Sequence, residues 1–232
     1  MPTPRIAVII PALNEEDSIG LVLDAIPPAL QAQVVVVDNG STDATARIAR
    51  EHGARVVEEV ERGYGAACLA GIAAAGDADV LVFLDGDFSD DPSLLPQLLA
   101  PILEGRADLV IGSRMLGEQE PGALPLHSVF GNWLAGKILT HLYGQPTTDL
   151  GPFRAIRRAA LEGLAMSDRG LGWTMEMQAK AARLGIPVIE VPVPYRKRVG
   201  RSKITGTVSG SLRAGAAILS TALRYLRWRP AA

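Results

Sequence analysis

Asp85 and Asp87 stand one residue apart in Phe83-Leu84-Asp85-Gly86-Asp87-Phe88-Ser89-Asp90-Asp91-Pro92, directly after the apolar run Val80–Leu84. The run is short, continuous and rich in branched side chains, so it reads as a buried strand whose carboxyl end carries both carboxylates. That edge is where open α/β sheets bind ligands. Residues two apart in an extended chain point the same way, and Gly86 between them lets the backbone approach closely. Oxygen donors alone suit a hard cation, Mg²⁺ or Mn²⁺, holding a diphosphate. The stretch also fits an acidic turn ahead of a helix starting near Pro92, with Asp90 or Asp91 as its cap.

Two further loops open on the same edge, Pro11-Ala12-Leu13-Asn14-Glu15-Glu16 and Asp38-Asn39-Gly40-Ser41-Thr42-Asp43. A nucleoside needs an amide or carboxylate for its base, apolar walls for its faces and an acidic group for its ribose; these loops offer each. Asp38 to Asp43 equally suits a helix cap. Gly63-Tyr64-Gly65-Ala66-Ala67-Cys68 half matches the dinucleotide fingerprint, but its last position is Cys68 and it follows the third strand-like segment. That argues against a Rossmann oxidoreductase. Arg62-Gly63-Tyr64-Gly65 reads instead as a tight turn opening a helix, with Arg62 and the helix amino end available to a nucleotide.

The elements that must position these side chains alternate between strand-like and helix-like, the pattern of an α/β fold with a mostly parallel sheet and helices on its faces. Strands are predicted at Ile6–Ile10, Val34–Val37, Arg55–Val57, Val80–Leu84 and Leu109–Ile111. Helices are predicted at Ser18–Ile26, Asp43–Glu51, Tyr64–Ala75 and Ser93–Leu103, each opened by a capping residue or Gly. The second half carries a helical stretch at Val129–Tyr143, a loop at Gln145–Pro152, a strand at Phe153–Ile156, a helix at Thr174–Leu184, a strand at Val188–Glu190 and the basic loop Tyr195–Lys203. Past Gly206, Val208, Leu212, Ala216, Leu219, Leu223 and Leu226 keep a three-or-four spacing, so the last element is an amphipathic helix. Residues 1–206 read as one domain and 207–232 as this appended helix.

The 232 residues carry 23 Lys and Arg against 25 Asp and Glu, a net charge of −2, so no whole-chain field points to nucleic acid. One cysteine, Cys68, excludes an internal disulfide and a cysteine-cluster zinc site. The first residues run into a strand without the apolar core of a secretory signal, and a reducing cytosol fits best. No stretch approaches the ~20 apolar residues of a membrane span; Ala214–Leu223 is bounded by Arg213 and Arg224.

Taken in order, Pro11-Ala12-Leu13-Asn14-Glu15-Glu16, Val36-Val37-Asp38-Asn39-Gly40-Ser41-Thr42-Asp43, Gly63-Tyr64-Gly65 and Asp85-Gly86-Asp87 resemble family 2 glycosyltransferases. Ile111-Gly112-Ser113-Arg114, Thr148-Asp149-Leu150-Gly151-Pro152-Phe153-Arg154 and Arg198-Val199-Gly200-Arg201-Ser202-Lys203 are similar to the dolichyl-phosphate mannose synthase branch, which includes bacterial polyprenyl-phosphate glycosyltransferases. The resemblance covers roughly residues 5 to 206. It implies a GT-A fold and inverting transfer of a hexose from a nucleotide diphosphate to a lipid phosphate with a divalent metal. By position, Pro11, Leu13, Glu15, Val37 and Asn39 would line the nucleoside pocket, with Asp38 beside them. Asp85, Gly86 and Asp87 would take ribose, metal and diphosphate, and Arg114, Arg198 and Lys203 would bind phosphates. Asn39 stands where the mannose synthases usually show a second Asp, which leaves GDP-mannose and UDP-glucose both open. Gly151-Pro152 stands where Ser-Gly is common.

Breaking the anomeric bond develops negative charge on the departing diphosphate and oxocarbenium character on the sugar. A metal on Asp87, with Asp85 acting through ribose or water, would stabilise that charge, and Arg198 and Lys203 would close over the phosphates. A phosphate acceptor needs no strong base; a hydroxyl acceptor, on a glycan or small metabolite, needs one, for which Glu176 and Asp149 are the candidates. Asp149 alternatively fixes Arg154 or a nearby loop by an ion pair. A non-catalytic nucleotide-sugar-binding subunit is a further alternative. Arg196, Lys197 and Arg201 read as surface charges or acceptor contacts. The last helix carries Arg213, Arg224, Arg227, Trp228 and Arg229, a composition suited to an anionic membrane surface at the cytoplasmic face, or to packing on the domain or a second subunit. Trp133, His127 and His141 lie in a helical stretch suited to core or membrane-proximal packing.

Overall fold

A computed structural model describes residues 3–200 and 208–229. Seven strands form one sheet: β1 (Ile6–Ala12), β2 (Gln33–Asp38), β3 (Arg55–Glu58), β4 (Val80–Phe83), β5 (Leu109–Ser113), β6 (Arg154–Arg157) and β7 (Val188–Pro192). Their order is β3-β2-β1-β4-β6-β5-β7, parallel throughout except for β6, which runs antiparallel to both of its neighbours.

The strands are apolar runs because both faces of the sheet are covered. Successive side chains alternate between two cores. Ile6, Val8 and Ile10 of β1 join helices α1 (Ile19–Ala25), α2 (Thr45–Glu51) and α4 (Leu95–Leu103) on one face. Ala7 and Ile9 join α3 (Tyr64–Ala74), α6 (Arg158–Leu164) and α7 (Trp173–Leu184) on the other. The approach of α3 is close: a Cβ at Gly71 would meet Ile9 at 2.3 Å. The five strands and four helices predicted for the first half are present, with ends moved by at most two residues. Helix α6 was not predicted. Its seven residues make two turns, too few to show a period.

A third, smaller core joins α5 (Leu126–Tyr143), α7 and α8 (Val208–Tyr225) through Ala135, Leu139, Met175, Ala179, Ala222 and Tyr225. Here the structure corrects the predicted stripe of the last helix. Ile218, Thr221, Ala222 and Tyr225 face the body, whereas Leu219 and Leu223, 65% exposed, lie on the outer side. The predicted loop Tyr195–Lys203 is described only to Gly200, so Arg201 and Lys203 lie outside the described residues.

Candidate active site

The sheet register brings the loops together. Pro11 and Ala12 lie opposite Val37 and Asp38, and Ile9 lies opposite Phe83, so residues 12–16, 38–43 and 84–91 leave one edge side by side. Because β6 runs backwards, it starts on that edge too and brings the segment before it, 148–153, to the same place. The first two loops are stitched by local polar bonds. Asn14 holds a left-handed φ of 53°, donates through its backbone to Ser41 Oγ at 2.9 Å and accepts from Thr42 N at 2.7 Å. Glu15 N donates to Thr45 Oγ1 at 2.8 Å. Beside them a cleft of about 290 Å³ is lined by Asp38, Gly40, Ser41, Glu58, Glu59 and Val60.

Asp87 is nearly buried and fully engaged. Its Oδ1 accepts from Ser89 N at 2.9 Å and Ser89 Oγ at 2.5 Å, and its Oδ2 pairs with the Arg198 guanidinium at 2.6 Å. Arg198 also reaches Glu15 Oε1 at 3.4 Å, so one cation bridges two of the edge loops. The backbone follows: Val199 N donates to Asp87 O at 2.9 Å and Arg196 N to Ser89 O at 3.0 Å, while Arg196 also pairs with Asp91. Asp85 differs. Its Oδ1 is buried without a hydrogen-bond partner, and burial, then the Asp87 charge, push its carboxyl up to about 7 despite Arg198 and Arg114.

On the far side of this pair, Arg114 forms a two-pronged bond to Asp149, Nε to Oδ2 at 2.7 Å and Nη2 to Oδ1 at 2.6 Å. The Tyr195 ring stacks on the guanidinium at 5.0 Å. Asp149 is fully buried, and its segment is held by Glu190 of β7, which accepts from Thr148 N at 2.9 Å and from Thr148 Oγ1 at 2.8 Å. A Cβ at Gly151 would meet Gly112 O at 2.9 Å and Asp149 Oδ2 at 3.3 Å, so the bare residue there fits the fork.

Residues 7–164 match the family model described as glycosyl transferase family 2. The chain belongs to that family. A glycosyltransferase of Mycobacterium tuberculosis, Rv0539, is 40% identical over 210 residues, 89% of this chain and 93% of its own. A dolichyl-phosphate hexose transferase of Haloferax volcanii is 35% identical over 209 residues, 89% of each. Among solved structures, glucosyl-3-phosphoglycerate synthase of M. tuberculosis, crystallised with Mn²⁺, UDP-glucose and phosphoglyceric acid, superposes with a TM-score of 0.79 at 27% identity, covering 98% of this chain and 81% of that one. The protein is thus a GT-A hexosyltransferase of family 2, as the ordered motifs implied.

The glycosyltransferase places several expected site residues elsewhere. Val37 does not line the cleft: it is fully buried against Gly71 of α3, because alternate residues of β2 face opposite cores. Asn39 is occupied, its amide donating to Glu59 O at 2.9 Å and Glu61 O at 2.7 Å and accepting from Gly63 N at 2.8 Å. It shapes the 59–63 loop. Pro11 and Leu13 are half-buried at the rim, and Asp38 lines the cleft while accepting from Ser41 N at 2.8 Å. The amino end of α3 is closed to a nucleotide, since Gly65 N and Ala66 N donate to Gly170 O and Arg169 O. Arg62 is bonded to Gly40 O at 2.8 Å.

Asp149 pairs with Arg114 and not with Arg154, which is fully buried and donates to the carbonyls of Leu150, Gly151 and Thr174. Glu176 is also buried, between α7 and α8. It pairs with Lys180 at 2.7 Å and accepts from Tyr225 Oη at 2.7 Å and Asp168 N at 2.7 Å. Against the upward push of burial, Lys180 and then Tyr225 hold its carboxyl below the usual range.

Three residues of the site went unread: Ser89, Glu190 and Tyr195. Only Ser89 left a signal, being a hydroxyl two residues after Asp87, the spacing of an Asx turn. The other two act across the fold.

A divalent cation fits the acidic pair. Asp85 Oδ1 is a buried oxygen without a partner, and Asp87 Oδ2 already holds a cationic group. Among the described residues no three His, Cys, Asp or Glu side chains gather to cage a metal, so diphosphate oxygens would have to complete the shell. When bound, such an ion would act as a Lewis acid on the departing diphosphate. Arg198, already paired with Asp87, would then face the same phosphates, with Arg114 on Asp149 beyond it.

Proposed function

We propose that the protein transfers a hexose from a nucleotide-diphosphate sugar, with inversion, to a polyprenyl phosphate. The observation that carries the acceptor class is that neither expected base is free: Asp149 is committed to Arg114, and Glu176 to Lys180 and Tyr225. A hydroxyl acceptor needs a base, and neither of these is available to serve as one. A lipid phosphate is already ionised near neutral pH, and Arg114 supplies cationic recognition beside the donor site. The dolichyl-phosphate hexose transferase relative supports this class. The UDP-glucose held by the structural neighbour supports a UDP-linked donor and a divalent cation, Mg²⁺ or Mn²⁺, on Asp85 and Asp87.

A membrane surface supports the same reading. Segments 121–148 and 191–232 contain no Asp or Glu, yet the second alone carries nine Lys and Arg: residues 196, 197, 198, 201, 203, 213, 224, 227 and 229. The outer side of α5 and α8 exposes Phe130 and Trp133, stacked at 5.7 Å, together with Leu219 and Leu223. Apolar residues rimmed by basic ones suit the headgroup region of an anionic bilayer. No helix among the described residues is long and apolar enough to cross a membrane.

The neighbour's phosphoglyceric acid favours a second reading, transfer to a hydroxyl of a small metabolite. Product analysis decides between them. UDP-glucose or GDP-mannose with Mg²⁺ or Mn²⁺ should give a sugar-phospho-lipid from a short-chain polyprenyl phosphate; turnover only with 3-phosphoglycerate would replace the proposal.

A further inference from the structure

Asp90 is 1% exposed, and neither of its carboxylate oxygens has a hydrogen-bond partner. Its neighbours are engaged: Ser89 with Asp87, and Asp91 with Arg196 and, as a cap, with Ser93 N at 3.1 Å. The helix-capping role open to Asp90 or Asp91 in the sequence therefore falls to Asp91, and Asp90 is left without a structural task. Leaving a buried carboxyl unserved is costly, so the fold bears a penalty at this point. Burial and then Asp85 raise its pKa well above the ordinary carboxylate range. The remaining charges acting on it belong to Arg114, Asp87 and Asp149, and it acts in turn on Arg114 and Tyr195. Asp90 is thus within electrostatic reach of both the acidic pair and the Arg114–Asp149 fork.

In the proposed reaction the diphosphate lies at the first of these and the acceptor phosphate at the second. The ring being transferred must lie between. We infer that Asp90 reads the donor sugar, its carboxyl group exchanging hydrogen bonds with adjacent ring hydroxyls. Two oxygens on one carbon match two neighbouring hydroxyls, and the fixed backbone on either side sets their direction. The assignment rests on the proposed function and makes Asp90 a specificity residue for the hexose, distinct from the groups that hold the nucleotide.

Calorimetry with Mn²⁺ tests it on wild type, Asp90→Asn and Asp90→Ala, using UDP, UDP-glucose, GDP and GDP-mannose. For the nucleotide that wild type binds, both variants should hold the sugar-free diphosphate within twofold and bind its sugar-linked form at least tenfold more weakly. Deoxy-sugar donors should bind wild type weakly and lose nothing further on Asp90→Ala. Asp90→Ala should also melt higher than wild type without ligand, because a buried unserved polar group is removed, and Asp90→Asn should melt no lower; this shows that they fold. Equal losses for diphosphate and sugar nucleotide, or no loss for either, would overturn the assignment while leaving the proposed function standing. Wild type that binds neither UDP nor GDP would overturn the proposed function, and the assignment with it.

Discussion

Arg114 grips Asp149 with two parallel bonds of 2.6 and 2.7 Å, while Arg198 holds Asp87 with one. The fork fixes the plane of the guanidinium, and Tyr195 covers its face. Replacing Asp149 by Asn keeps the shape and removes the charge. We expect kcat/KM for the lipid phosphate to fall about 100-fold, the scale of losing a buried charge-assisted pair, while Mn²⁺-UDP affinity is retained. Arg114→Lys should do no better, because an ammonium cannot reproduce the fork. Steady-state kinetics with acceptor varied would check both.

Asp87 is expected to carry the metal and Arg198 the phosphates, which separates their variants. Asp87→Ala should abolish the rise in melting temperature that UDP and Mn²⁺ produce together, since a ligand stabilises only the state that binds it. Arg198→Ala should keep a metal-dependent rise yet raise the donor KM about tenfold, on the scale of one charged hydrogen bond. A full thermal shift in Asp87→Ala would refute the metal role.

Glu176 joins α7 to α8 through Tyr225. Glu176→Gln leaves Lys180 buried without its anion and should cost about 3–5 kcal/mol in denaturant unfolding, with turnover per folded molecule largely kept. Loss of turnover at unchanged stability would instead restore Glu176 as a base.

The same carboxylate predicts an acid response. Its folded pKa is depressed, so its contribution is complete above the ordinary carboxylate range and is lost as pH falls through the folded value. The fluorescence of Trp228, which packs beside Tyr225 at 6.5 Å, should change on acidification before the sheet unfolds, and should not in Glu176→Gln.

Phe130 and Trp133 should govern membrane attachment. The Phe130→Ser, Trp133→Ser double variant should sediment several-fold less with vesicles containing anionic lipid, and turn over a short-chain acceptor in detergent at the wild-type rate. Undiminished sedimentation would assign the surface to another partner.

Much of the fold was legible because it is written locally. Val80–Leu84 is apolar on both faces and ends in Asp85, so strand and acidic pair come from one stretch of chain. The direction of β6 was not legible, since Arg154–Arg157 reads alike either way and only its place between β4 and β5 sets it. Asn39 and Glu176 failed for a related reason. Each looked free in the sequence, yet partners reach it from other segments: Glu59, Glu61 and Gly63 for one, Asp168 and Tyr225 for the other, which also pairs with Lys180 on its own helix. The outer stripe of α8 was found by its spacing, but spacing alone does not say which of two apolar faces meets the body.

The backward strand has a consequence for recombination among relatives. β6 is hemmed by β4, which ends at the acidic pair, and by β5, which leads to Arg114. A chimera joined between 114 and 153 would force one parent's strand to knit between two from the other, disturbing both the acidic pair and the Arg114 fork. A junction past Gly200 crosses no strand pairing among the described residues, so α8, which packs on α5 and α7, could be exchanged as a cassette.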